Sequence, residues 1–269
     1  MFGSKCQNRP ATIVLTATAP GFVRIVFQSK HPAQVRLFIY SGVKTAIDLE
    51  IVAKVGSQAG VETYIISDQV GSTRLQRFAS VAQDASLVLA TMVLSMGKTF
   101  VTDRCILTGE AAEFQSETLA VLNGSDRIET IQEVRHEAPR TISELRNSIV
   151  TSDDARADFN VTGAIAKGNA KAICHQGNRG VLLGEKAVIA VSPKLLIDEF
   201  DVEAGHGCAI GRLNAEEMYY LTSRGLDNAT AQRLIVSGYT APFLQKLTDP
   251  EWRRYVDAKL NKKLKGVES

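Results

Sequence analysis

A chain of 269 residues, 45% hydrophobic and 22% charged, with a formal net charge of +2, can bury a sizeable core as one elongated domain or as a large domain with an appendage. This composition excludes a disulfide-stapled miniprotein, a collagen-like chain and a disordered tail. The near-neutral charge argues against a dedicated nucleic-acid binder, which needs concentrated Lys and Arg, and at 6% aromatic content the core must rest on Val, Ile, Leu and Ala.

In chain order, Met1 to Thr18 offers only the apolar Ile13-Val14-Leu15, preceded by Gln7-Asn8-Arg9-Pro10, which is not the pattern of a signal peptide. Strand-length runs follow, bounded by turn residues: Ala11 to Leu15, Val23 to Phe27, Val35 to Ile39 and Thr63 to Ile66. The longest apolar stretch, Ala85 to Met96, is interrupted by Ser86, Thr91 and Ser95 and is too short to span a bilayer. Between 159 and 212 the runs recur roughly every eight to ten residues, with Gly or Asn at several breaks. Helical i, i+3, i+4 spacing is largely missing from about 10 to 212, which predicts an all-β region. Asn123-Gly124 is the single Asn-Gly hairpin signal. Many short strands without hairpin turns favour an advancing coil, the parallel β-helix, with a sandwich as the competing arrangement.

The texture changes at about residue 213. Asn214-Ala215-Glu216-Glu217 reads as a capping box, with Met218 and Leu221 on one face and Arg224-Gly225 as the stop. Asp227 caps a next helix carrying Ala231, Leu234 and Ile235, and Thr240 through Leu247 reads as a third short segment. Asp249-Pro250 opens a final helix with Trp252, Tyr255 and Leu260. Its basic residues Arg253, Arg254, Lys259, Lys262, Lys263 and Lys265 read as a solvated helix end favoured by the helix dipole, not as a nucleic-acid surface. Two domains are predicted: a β-helix core domain over 1–212 and a C-terminal helical domain over 213–269.

Chemistry concentrates between Asp198 and Gly211. Read as one extended strand, this stretch places Phe200, Val202, Ala204, His206, Cys208 and Ile210 on an apolar face and Glu199, Asp201 and Glu203 on the other. His and Cys at i and i+2 on one face can ligate a borderline metal or an iron–sulfur fragment if another ligand arrives from elsewhere. The same residues also fit a plain reading, a small hydrophobic thiol beside a hydrogen-bonded core histidine. His175 next to Cys174 is a weaker pair, because adjacent strand residues face opposite sides. The four cysteines, Cys6, Cys105, Cys174 and Cys208, lie far apart with no CxxC spacing, which points to free thiols in a reducing, cytoplasmic setting. No phosphate-binding GxxxxGK[ST], dinucleotide GxGxxG, GxSxG or HExxH motif occurs. Asp153-Asp154 and the acids at 198–203 leave a carbohydrate-active β-helix as an alternative, with few aromatics for sugar stacking.

From Arg135 to Leu247 the sequence resembles the SufB/SufD family of iron–sulfur cluster assembly proteins. His136-Glu137-Ala138-Pro139-Arg140-Thr141 is similar to the family's H-x-A-P-x-T segment, and Phe159 to Ile165 to its F-x-G-x-I strand with one residue of spacing difference. Gln176-Gly177-Asn178-Arg179 with Leu182-Leu183 is similar to Q-x-N-R-x-L-L-L. Pro193 to Ile197, Asp201-Val202 and His206-Gly207 follow the order of P-x-L-x-I, D-V and H-G. Met218 to Leu226 is similar to F-Y-L-x-S-R-G-I.

The resemblance implies a right-handed parallel β-helix followed by a small helical domain, and a scaffold subunit rather than an enzyme. It implies a SufC-like ABC-type ATPase docked on the helices at about 213–247, where Tyr219, Tyr220, Arg224 and Gly225 lie. One of Tyr219 and Tyr220 is expected to face inward beside Met218 and Leu221. It implies pairing with a SufB-like paralogue or a second copy through the end of the β-helix, with a transient iron–sulfur cluster built there. No nucleic acid and no membrane enter this picture. His206 matches the family motif's interface histidine, a proposed ligand in SufD. Where SufB proteins carry an important cysteine this chain has Asn178, which moves the reading toward SufD. The family's C-S-H-G-A reads Ala204-Gly205-His206-Gly207-Cys208 here, so the thiol shifts from one side of the histidine to the other. Met1 to Pro10 leaves no room for the family's N-terminal helical segment, which suggests a compact form from a minimal system. A subunit that holds the ATPase but binds no iron is a further alternative.

Overall fold

The structure, a computed structural model, describes residues 11–247 and 249–265, with the backbone alone at 11, 41, 42, 264 and 265. The expectations for Met1 to Pro10, for Cys6 and for the side chain of Lys265 lie outside the described residues. The strands are β1 Ala11–Thr16, β2 Gly21–Ser29, β3 Ala33–Val55, β4 Gly60–Val81, β5 Ser86–Val93, β6 Met96–Leu107, β7 Glu113–Leu122, β8 Arg127–His136, β9 Ile142–Thr151, β10 Arg156–Ile165, β11 Ile173–Leu182, β12 Val188–Ile197 and β13 Glu203–Arg212. Three helices follow, α1 Ala215–Ser223, α2 Asn228–Leu244 and α3 Pro250–Lys265.

All the strand pairings are parallel, and successive strands alternate between two walls. One wall stacks β1, the first halves of β3 and β4, then β5, β7, β9, β11 and β13. The other stacks β2, the second halves of β3 and β4, then β6, β8, β10 and β12. The result is a parallel β-solenoid of about seven turns, the advancing coil and not the sandwich.

In-register stacking puts like positions above one another, so each inward file is a column of side chains. One runs Val55, Val81, Leu107, His136, Ile165 and Ile197, with the first five buried. Each fully buried aliphatic side chain contributes about 1.5–3 kcal/mol of transfer free energy, and every rung shares its contribution with the rungs on both sides. The bend that lets β4 serve both walls is made at Gly71, stacked on Gly97 with φ of +118° and +121°. A Cβ at Gly71 would sit 2.1 Å from the Thr45 carbonyl oxygen, so only glycine fits.

The corners carry a second ladder. Gln58, Asp84, Ala111, Arg140 and Lys171 all take left-handed φ values of +52° to +62°, at intervals of 26 to 31 residues. Each donates its N–H to the corner one turn further on, to Gln83, Glu110, Pro139, Ala170 and Asp201 respectively. The corner backbone is thereby satisfied without a hairpin.

The helices cover the outer face of the odd-numbered wall. Ile66, Met92, Leu119, Val121, Val150 and Val181 point outward there and are buried against Val236, Phe243, Leu247, Val256 and Leu260. Strands buried on both faces lose their alternation, as in the Ala90-to-Val93 end of β5. Three expectations are corrected. Thr240 opens no separate segment, since α2 runs unbroken from Asn228 through Pro242 to Leu244. Neither Tyr219 nor Tyr220 faces inward, because α1 has no buried residue. The basic residues of α3 are not all solvated: Lys263 is buried against Asp126 at 2.7 Å, and Lys259 meets the buried Asp68 at 2.7 Å. Desolvation pulls the Lys263 ammonium below its usual range, and Asp126 pulls the other way.

Candidate functional site

β13 is the last strand of its wall and pairs with β11 in register, Gln176 against His206 and Asn178 against Cys208. Gln176 and Asn178 are buried and inward-facing, so His206 and Cys208 continue the two interior files onto the final rung. The expected sharing of one face is therefore present. The burial is not: His206 and Cys208 are exposed, because among the described residues no further strand covers β13. The extended reading of 198–211 is also too long. Asp198 to Val202 forms the corner beneath Lys171, and Phe200 is fully exposed there instead of joining an apolar face. Val202 alone of this corner packs on the core.

Part of the interior below this rung is polar. Arg77 and Asp103 form a buried bidentate pair, and Arg77 also donates to Thr91. Further along, Gln132 donates to Ser116 and Thr118, and Asn147 donates to Gln132 at 2.8 Å and to Asn178 at 2.9 Å. Asn178 then donates to the Gly207 carbonyl at 3.4 Å. In register, Thr91, Thr118, Asn147, Asn178 and Cys208 form one file. The Gln176 Oε1 is a buried acceptor with no hydrogen-bond partner, one rung beneath His206.

The His136 to Thr141 segment has a structural task. His136 is fully buried, with Nδ1 2.7 Å from Thr141 Oγ1 and Nε2 2.8 Å from Ser143 Oγ. Thr141 donates onward to the Ala138 carbonyl, so His136 donates from Nδ1 and accepts at Nε2 from Ser143. Burial lowers the His136 pKa from 6.5 to about 4, so the ring is neutral at pH 7. Ser143 also bonds the buried Cys174 thiol, whose pKa is raised by desolvation. Cys174 in turn leaves no space at position 163, where a Cβ would fall 2.3 Å from its sulfur. Burial likewise raises the Cys105 thiol. Of the described cysteines, Cys208 alone is exposed.

α1 is the second candidate surface. Asn214 caps it by accepting from the Glu216 N–H at 2.9 Å, and Arg224 and Gly225, at φ +91°, close it. Tyr219 and Tyr220 are 75% and 55% exposed, and the Arg224 guanidinium lies 4.6 Å from the centre of the Tyr220 ring. These residues sit on a different element from His206 and Cys208. Among the described residues no group of three or more His, Cys, Asp or Glu is placed to hold a metal ion, so His206 and Cys208 offer at most half a site. No described helix is long and apolar enough to cross a membrane.

The family model described as "SUF system FeS cluster assembly, SufBD core domain" matches residues 24–239. The iron–sulfur cluster assembly protein SufD of Bacillus subtilis is 29% identical over 207 residues, 77% of this chain and 45% of that protein. SufD of Escherichia coli is 28% identical over 160 residues, 60% of this chain and 38% of that protein. A SufBD family protein of Mycobacterium tuberculosis is 37% identical over 93 residues, 34% of this chain and 23% of that protein. The chain spans less than half the length of these relatives. With the SufBD core domain matched over most of a β-solenoid that ends in three helices, the chain belongs to the SufB/SufD family.

Proposed function

We propose that this chain is a scaffold or accessory subunit of a SUF-type iron–sulfur cluster assembly complex, and not an enzyme. The observation that carries the reading is the last rung: two soft or borderline donors, His206 and Cys208, stand exposed on files that are buried one rung earlier. A second solenoid, a SufB-like paralogue or another copy, would cover that rung and bring the missing ligands. An imidazole nitrogen and a thiolate suit iron or an iron–sulfur fragment, and the cluster would be cargo passed on to other proteins. The exposed Tyr219, Tyr220 and Arg224 beside Gly225 suit the docking of a SufC-like ABC-type ATPase, aromatic and Arg side chains being the types that anchor interfaces. Nucleotide-driven movement of the helices would then open or close the covered rung.

The test is anaerobic co-expression with the host's ABC-type ATPase, size-exclusion chromatography, and iron and sulfide analysis of the complex. Co-elution with bound iron and sulfide, lost in His206→Ala and reduced in Cys208→Ser, is the expected result. Co-elution without iron would leave an interaction-only subunit. A chain that elutes alone and iron-free would overturn the proposal.

A further inference from the structure

Arg179, in the Gln176-to-Arg179 stretch of β11, has a task that neither the last rung nor the docking surface explains. α2 contains Pro242 near its C-terminal end. A proline has no N–H, so the carbonyl four residues earlier, that of Gly238, loses its helical donor. Arg179 replaces it, donating from Nη2 to the Gly238 oxygen at 3.2 Å. The same guanidinium lies 5.4 Å from the centre of the Tyr239 ring and donates from Nε to Ser148 Oγ at 3.1 Å. One side chain therefore ties the Pro242 turn of α2 to β9 and β11.

The place of this tie matters. Arg179 is in register with Ala209, the residue after Cys208. Beside α2, over β9, β11 and the last strand, lies a groove of about 690 Å³, lined in part by Arg146, Gly177, Arg179, Gly207, Ala209 and Pro242. A Cβ added at Gly177 or Gly207 would meet nothing within 4 Å, so no packing demand inside the chain calls for glycine at either position. The glycines keep the floor low and the groove open.

We infer that Arg179 is a clamp: it holds the Pro242 turn of α2 at a fixed distance from the last rung, and its release lets α2 move across the groove over the outer face of the strand that carries Cys208. The clamp is a property of this chain alone. Its use in carrying ATPase movement to His206 and Cys208 rests on the proposed function.

Hydrogen exchange on the full chain tests the clamp, with Arg179→Ala, Arg179→Lys, Pro242→Ala and the Arg179→Ala/Pro242→Ala pair. Arg179→Ala should speed exchange of the α2 amides from 239 onward about tenfold, with the solenoid strands unchanged. Arg179→Lys should fall between, since it keeps the charge but loses the fork. Pro242→Ala restores an N–H for the Gly238 carbonyl, so the double variant should exchange within about twofold of Pro242→Ala alone. Unchanged α2 exchange in Arg179→Ala, or a double variant as fast as Arg179→Ala, would overturn the clamp.

A second arm reads coupling, as the alkylation rate of the Cys208 peptide with the ATPase, with and without ATP. An ATP-dependent change of about threefold or more in wild type, absent in Arg179→Ala although the ATPase still co-elutes, supports coupling. An equal change in both chains, or none in wild type with the ATPase bound, refutes it. Failure of the wild-type chain to bind the ATPase refutes the proposed function, and the exchange result then decides the clamp alone.

Discussion

β11 and β13 lie in register from Ile173 against Glu203 to Leu182 against Arg212, yet their interior-facing residues live in opposite environments. Gln176 and Asn178 are 3% exposed; His206 and Cys208, stacked directly on them, face solvent. In a solenoid, then, an inward residue is buried by the rung that follows it, and its own strand is not enough. Inside, polar side chains find partners along their file or across the lumen, as the amide NH2 groups of Asn147 and Gln132 do. On the last rung the same position is available for a ligand or another chain.

Substitutions at buried and at exposed positions test that contrast. Asp103→Ala strands the buried Arg77 guanidinium and should destabilise the chain by about 4 kcal/mol, read as a lowered urea midpoint. Asp201→Ala, which breaks the exposed pair with Lys171 at the last corner, should cost under about 1 kcal/mol.

The pH dependence is the next effect. His136 has a folded pKa depressed from 6.5 to about 4, so it stays neutral while the unfolded chain takes up a proton. Its contribution is intact above about pH 7 and is lost as pH falls from 6.5 to 4, by about 3 kcal/mol in all. A His136→Gln chain should lose less stability than wild type between pH 7 and pH 4.5. Equal losses would show that the ring does not titrate in this way.

Gly163→Ala, against the Cys174 sulfur, should cost about 2 kcal/mol by overpacking, and Cys174→Ala in the same chain should recover part of it. Gly207→Ala on the last rung should change stability by less than about 0.5 kcal/mol, since the added methyl enters open space. If Gly207→Ala proved as costly as Gly163→Ala, the space over Gly207 would not be open as described.

Local features were legible in the sequence because their signals are local. The strand alternation and the caps at Asn214, Asp227 and Asp249 needed only neighbouring residues, and each cap oxygen does accept from its own helix N-terminus. The repeat was hidden. Its corner residue is Gln, Asp, Ala, Arg or Lys, never glycine, and its period drifts between 26 and 31 residues. The interior polar ladder was equally hidden, since Arg77, Asp103, Gln132 and Asn147 are isolated polar residues until the coil stacks them. Lys263 read as one more cation in a basic tail, and only the fold brings Asp126 to it. For His206 and Cys208 the shared face could be read from period two, but the missing next rung could not.

The helical segment ends by returning to the opposite end of the coil. Asp249 meets Arg36 on β3, Tyr255 and Lys259 meet Asp68 on β4, and Lys263 reaches Asp126 in the turn before β8, while Arg179 on β11 holds α2. A stack of rungs with free ends is a one-dimensional chain that can fray from either terminus. A strap fastened at β3, β4, β8 and β11 removes that freedom: losing a rung means undoing the strap, and undoing the strap exposes every rung beneath it. α2 and α3 together thereby tie early rungs to late ones, and the molecule should melt as one cooperative unit instead of peeling turn by turn.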